Sequence, residues 1–255
     1  MVVELRNKDK ILPRLYKDFV TFVEEISLIE ESYLWRNVKV YVADPSSSRE
    51  FLIIRLPSFL LKDRSLSAYM TAENLSVIQE FANILRGKKD FSMHIQTAVK
   101  KEHVEQFMPW LTKTYTVRYC RADSTTFQLH CKHREMTVRL TPANIKRLYP
   151  SASSVFVKRL ETTPVYGYVN EKGELVATSG VGFLTKKSFS ISYTETNPEY
   201  RGRGIAKCLT SLASEPLIRR GLIGVYAADI TNQPSLGVAE GLGFQPYQDL
   251  KCFWQ

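Results

Sequence analysis

No apolar run in this 255-residue sequence approaches the roughly 18 uncharged residues that a membrane-spanning helix requires. The longest stretches, from Leu175 to Thr185 and from Gly221 to Ala228, stop at Lys186 and Asp229. The opening MVVELRNKDK lacks the continuous apolar core of a secretory signal and the acid-poor, serine-rich texture of a mitochondrial presequence. With no recognisable targeting segment, the sequence reads as intracellular, in the cytoplasm or the mitochondrial matrix. Cysteine is scarce as well. Cys120, Cys131, Cys208 and Cys252 are too few and too scattered for a disulfide scaffold, which again suggests a reducing compartment. Acid is in short supply: 26 Asp and Glu face 35 Lys and Arg, for a net charge of +9. Such a balance favours an anionic partner without separating nucleic acid, membrane surface and a phosphorylated small molecule. Low-complexity tracts and visible internal repeats are absent.

What remains is a globular composition, 44% hydrophobic and 24% charged, enough for one large domain or two small ones. Apolar residues at Leu15, Phe19, Phe22, Val23, Ile26 and Ile29 predict one helix from Leu15 to Ile29. Two strands, Val38–Ala43 and Phe51–Leu56, flank Asp44-Pro45-Ser46-Ser47-Ser48 and predict a hairpin. A helix capped by Thr71 or Asn74 ends at Gly87, and the stretch from Lys100 to Lys113 reads as helical with Pro109 interrupting it. Val117–Tyr119 and Phe127–His130 read as short strands. A domain boundary is expected near residue 133, giving an N-terminal α/β domain (1–133) and a second domain (134–255). The second begins with a strand at Met136–Leu140, a helix opened by Thr141-Pro142 and a further helix through Val155–Leu160. Strands follow at Val165–Asn170, Leu175–Leu184 and Ser188–Thr196, then helix 203–220, strand Ile223–Asp229, helix Pro234–Leu242 and a closing strand Phe244–Trp254.

The chemistry concentrates in Asn197-Pro198-Glu199-Tyr200-Arg201-Gly202-Arg203-Gly204-Ile205-Ala206. A strand feeds a turn with two glycines, from which a helix leaves directly. The first amides of such a helix lack internal acceptors and point outward at the positive end of its dipole, a natural seat for phosphate. Gly202 and Gly204 let backbone approach the ligand, and Arg201, Arg203 and Lys207 add charge. The alternative is an ordinary helix start with a solvated basic face.

Arg201, Gly204 and Ala206 stand in the register Arg-x-x-Gly-x-Ala, and Asn232, Ser235 and Leu242-Gly243-Phe244 follow at matching spacing. In these two motifs the sequence resembles the GNAT superfamily of acyl-CoA N-acyltransferases, over roughly residues 135–255. The Pro-Glu-Tyr-Arg run and the segment Val165–Thr178 look most like its glycine N-acyltransferase group. The resemblance implies an α/β fold: a C-terminal GNAT domain with a central, mixed, twisted sheet, preceded by a smaller α/β domain that is itself a degenerate relative. It implies acyl-CoA as co-substrate with no metal, its pyrophosphate on the amides of Gly202 to Ala206 and its pantetheine arm along Thr194 and Thr196. It also implies direct attack by a primary amine, glycine or another small amine, on the thioester. Acetylation of a protein or polyamine is an alternative, and a CoA-binding protein without catalysis is another.

Two positions depart from the family pattern. Ala239 stands where many members have a tyrosine acid, and Ser190 where glycine acyltransferases carry a base glutamate. Glu195 is the nearest carboxylate; strand parity places it opposite Ser190 and Ser192 unless a one-residue bulge intervenes. Tyr193 and Tyr226 are the candidates for the acid. His130, Cys131 and His133 are spaced poorly for zinc, Cys208 reads as packing, and His94 and His103 have no evident partners. From Lys132 to Leu160 seven basic residues face only Glu135, but no aromatic RNA signature accompanies them, so nucleic acid is not expected.

Overall fold

The computed structural model describes residues 2–31, 38–46, 50–55, 66–88, 91–95 and 99–254. The backbone gathers into two compact units, Met1–Val117 with Asp249–Gln255, and Arg118–Gln248. Residue 133 lies within the second. Among the described residues no helix is long and apolar enough to cross a membrane.

The first unit carries β1 (Val3–Glu4), α1 (Leu12–Leu15), α2 (Val23–Glu30), β2 (Val38–Val42), β3 (Phe51–Arg55), β4 (Leu66–Thr71), α3 (Leu75–Leu85), β5 (Phe91–Ile95) and α4 (Lys101–Phe107). The helix expected from Leu15 to Ile29 is instead broken into short turns before α2. Asp18 Oδ1 accepts the Thr21 N–H at 3.2 Å, a side-chain substitute for the helical ladder that favours a turn. β2 and β3 form the expected antiparallel hairpin; Ser47, Ser48 and Leu56 lie outside the described residues. Asn74 caps α3 by accepting the Ser76 N–H at 3.0 Å. One face of the sheet buries Leu52, Ile54, Met70 and Met93 against Phe81 and Leu85 of α3. Each such side chain contributes about 1.5–3 kcal/mol by leaving water.

The second unit contains the end of β6 (Lys113–Ala122), then β7 (Thr137–Arg139), α5 (Pro142–Leu148), α6 (Ser154–Thr162), β8 (Val165–Val169), β9 (Leu175–Leu184), β10 (Ser188–Thr196), α7 (Ile205–Ile218), β11 (Ile223–Asp229), α8 (Gln233–Glu240) and the start of β12 (Gln245–Trp254). Residues 127–130, expected as a strand, are irregular. Their alternation of apolar and polar residues finds no neighbouring strand to complete a ladder. Pro142 opens α5, and the Thr141 N–H donates to Asn144 Oδ1 at 2.8 Å.

The two units share a strand order. In the first it is β1-β2-β3-β4-β5-β12, and in the second β7-β8-β9-β10-β11-β6. In each the fourth and fifth strands pair in parallel, with α3 or α7 as the crossover. The strand filling the sixth place comes from outside the unit's own run of five. β12, through residues 249–254, serves the first, and β6 serves the second.

Candidate active site

The site starts at a discontinuity in β10. Ser192 pairs with Gly180 and Glu195 with Thr178, so β10 spends one more residue than β9 over this interval. Tyr193 takes up the excess at φ 58°, the one positive φ outside glycine among the described residues. Its carbonyl accepts the Thr178 hydroxyl at 2.7 Å, and its ring packs edge-on against Phe156 at 5.1 Å. This is a β-bulge, which re-aims the side chains after it. A second irregularity faces Gly182, where a Cβ would collide with the Ser192 side chain. The buried guanidinium of Arg159 donates to the Gly182 carbonyl.

β10 and β11 pair from Ser188↔Ile223 to Ile191↔Tyr226 and no further, although both strands continue. Into that opening the chain sends the glycine turn. Gly202 and Gly204 have φ of +76° and +77°. Nothing lies within 4 Å of a Cβ built on either, so the left-handed backbone, not crowding inside the protein, calls for glycine. Arg201 Nε donates to the Thr196 carbonyl at 3.0 Å. Arg203 Nη2 donates to the Glu199 carbonyl at 3.0 Å, with its guanidinium 5.1 Å over the Tyr200 ring. Both arginines therefore brace the turn. The opening amides of α7 have no acceptor within the helix. Across the opening, Asn232 Oδ1 caps α8 by accepting the Ser235 N–H at 3.2 Å.

Hydroxyls fill the interior of the site. Ser179 Oγ lies 2.9 Å from Thr194 Oγ1 and 2.8 Å from Thr210 Oγ1. The Tyr226 hydroxyl is 3.0 Å from Ser235 Oγ and also bonds the Thr194 side chain. Burial pushes the Tyr226 phenol above its usual 10.0, against the downward pull of the Ser235 and Thr194 hydrogen bonds. Thr196 Oγ1 is shielded from solvent and has no hydrogen-bond partner among the described residues.

A cavity of about 830 Å³ joins these parts. It is lined by Thr194, Glu195 and Thr196, by every residue from Arg201 to Ala206, and by Asn232 and Ser235. Glu195 and the residues expected to bind the cofactor therefore meet around one space, whereas Tyr193, a candidate acid, does not line it. Tyr226, Tyr200 and Lys207 join them, as do His130 and Lys132, which sequence reasoning set aside. Ser190 and Ala239 are buried, and neither lines the cavity.

Two cysteine expectations are corrected. Cys131 and Cys208, 77 residues apart, form a disulfide, so Cys208 is not merely packing. Spacing concealed the pair because the 127–133 segment folds back over α7. Cys120 and Cys252 are buried and take no part in a disulfide among the described residues. His94 does have partners: the Tyr69 ring at 5.0 Å and Cys252 Sγ at 3.7 Å. Among the described residues no three His, Cys, Asp or Glu side chains gather as a metal site would require.

A bulged strand thus parts from its parallel neighbour beside a glycine turn, and both border one cavity. Residues 74–253 match the GNAT acetyltransferase family, and the chain belongs to it. It is an acyl-CoA-dependent N-acyltransferase with the mixed α/β fold of that family. A GCN5-related N-acetyltransferase-like protein from Streptococcus suis superposes with a TM-score of 0.65 at 19% identity, over 95% of this chain and 96% of that one. A Drosophila protein reaches 0.68 at 11% identity, over 100% and 98%. A tandem GNAT protein from the clavulanic acid biosynthesis pathway reaches 0.56 at 13%, over 99% and 97%. At these identities the likeness is one of fold. No curated protein matches the sequence.

Proposed function

We propose that this enzyme moves the acyl group of an acyl-coenzyme A onto a small primary amine, with glycine the first acceptor to test, as in the glycine N-acyltransferase group. The observation that carries the reading is the cavity itself, which joins the glycine turn to the bulge in β10. The amides from Gly202 to Ala206 hold the pyrophosphate, and the backbone at Thr194 and Thr196 pairs with the pantetheine arm. Asn232 and Ser235 border the same arm from α8. The unpartnered Thr196 Oγ1 suits a ligand that carries amides and hydroxyls.

The amine nitrogen must lose a proton before it attacks the thioester carbon. Glu195, directly after the bulge, is the carboxylate that lines the cavity and serves as base, directly or through a water. A bulge N–H faces the carbonyl oxygen as it becomes negative. When the carbon–sulfur bond breaks, the thiolate takes a proton from the Tyr226 hydroxyl, and the second proton shed by the newly bonded nitrogen restores the phenol. Burial favours the neutral, proton-bearing form of that phenol, and Ser235 and Thr194 orient it.

The buried Ala239 and Ser190 put no acid or base into the cavity, which leaves the proton transfers to Glu195 and Tyr226. Calorimetry with coenzyme A and acetyl-CoA, using Gly204→Asp as control, tests the binding site. Micromolar binding lost in the variant supports it, and binding indifferent to the substitution refutes it. Thiol release with a panel of amines, glycine first, then identifies the acceptor.

A further inference from the structure

Residues 127–133 belong to no strand or helix, yet they are fastened along the second unit at successive points. The Gln128 N–H donates to the Leu242 carbonyl at 2.9 Å. The His130 N–H donates to Ser211 Oγ at 2.9 Å. Cys131 is bonded to Cys208, and His133 Nε2 lies 2.9 Å from the Arg203 carbonyl. The partners step from Ser211 through Cys208 to Arg203, so the segment runs antiparallel to α7 and arrives at the glycine turn. There His130 and Lys132 form part of the cavity wall.

These two side chains are differently placed from the cations of the motif. The guanidinium of Arg201 donates to the Thr196 carbonyl at the end of β10, and that of Arg203 to the Glu199 carbonyl within the turn. The Lys207 ammonium packs against Gly241, beside α8. No carboxylate pairs with His130 or Lys132 among the described residues, and four tethers hold their backbone in place. A rigid, unneutralised basic wall at the phosphate end of a cavity is a site for a second anion.

Coenzyme A carries one there. Beyond the pyrophosphate its ribose bears a phosphate monoester, which approaches a charge of −2 near neutral pH and offers three acceptor oxygens, as phosphate monoesters do. Resting on the coenzyme A reading above, we infer that His130 and Lys132 form a subsite for this ribose phosphate. The subsite distinguishes coenzyme A from the same molecule without that group.

Calorimetry with coenzyme A and with 3′-dephospho-coenzyme A, at two salt concentrations, tests the inference on the full chain. The wild type is expected to prefer coenzyme A by about tenfold or more, one charge-assisted contact corresponding to at least about 1.4 kcal/mol. Lys132→Ala, at an exposed position, is expected to bind the dephospho form unchanged and to lower coenzyme A to the same level. His130→Gln is expected to remove part of the preference. Equal wild-type affinities for the two ligands, or a Lys132→Ala variant that weakens both alike, would overturn the subsite while leaving the coenzyme A site standing. Binding of neither ligand by the wild type would overturn the coenzyme A reading itself.

Discussion

The carboxylate of Glu50 accepts the Asn74 N–H at 2.8 Å, and the Glu73 N–H at 2.9 Å. These amides open α3, the crossover helix of the first unit, at the topological position that the glycine turn occupies before α7. In the first unit an internal carboxylate thus occupies the position where the second offers free amides. An anion already sits at the positive end of that helix, so a phosphate would be both blocked and repelled.

One ligand per chain is the expected stoichiometry. Titration of the purified protein with coenzyme A should saturate at a single equivalent. Glu50→Gln should leave that number at one while lowering stability by about 1 kcal/mol through the loss of a charged cap. Two equivalents would contradict the assignment of a closed first unit.

Glu195→Gln keeps the size of the side chain and removes its basicity. Turnover should fall by about a hundredfold or more, with affinity for acyl-CoA unchanged, since the glycine turn is untouched. Measured kcat and dissociation constants check both parts. A variant that turns over at the wild-type rate assigns the base elsewhere.

Tyr226→Phe removes one hydroxyl and leaves the ring packed against Phe244 at 5.9 Å. Loss of proton delivery should lower kcat by about a hundredfold without raising KM. A tyrosine acid acts in its protonated form, and burial raises its pKa above the usual 10.0. Activity dependent on it is therefore retained up to that pH and lost only as the pH rises through the raised value. A wild-type profile that falls well below pH 10 from this group would refute the role.

The first unit should lose stability in acid through His94. Burial holds its imidazole below the ordinary 6.5, with Glu24 pulling the other way. Because the folded form disfavours the proton, the stability linked to His94 is full above about 6.5. It declines as the pH falls below 6.5, where the unfolded chain takes up a proton that the native ring resists. Thermal unfolding at about pH 5 and pH 8 should show a gap between the two, and His94→Gln should narrow it.

Much of the second unit could be read from residue order because its signals are local. Gly202 and Gly204 mark left-handed backbone, Thr141-Pro142 marks a helix start, and Asn232 with Ser235 marks another. The bulge near Tyr193 was legible only as a condition, since parity alone sets Glu195 opposite Ser192 and an extra residue is visible only against β9. Contacts that span the chain left no local trace. Phe127 to His130 alternates like a strand, and what holds it is a set of partners at residues 211 and 242, with Cys131 just beyond it bonded to Cys208. Glu50 is an ordinary acid until the fold delivers it to Asn74. The repeated strand order was hidden for the same reason: the two halves share pairings, while their sixth strands come from elsewhere in the chain.

That exchange of strands bears on synthesis. Domains commonly fold in the order in which they leave the ribosome. Here residues 249–254, which belong to the first unit, are translated after the whole of the second. The edge of β5 that pairs with them from Ser92 to Ile95 waits through that interval as an open template, the kind of edge on which nascent chains misassemble. Completion of the first unit thus waits for residues made after the second, and a chain stopped short of residue 249 leaves its N-terminal half, not its C-terminal one, without that strand.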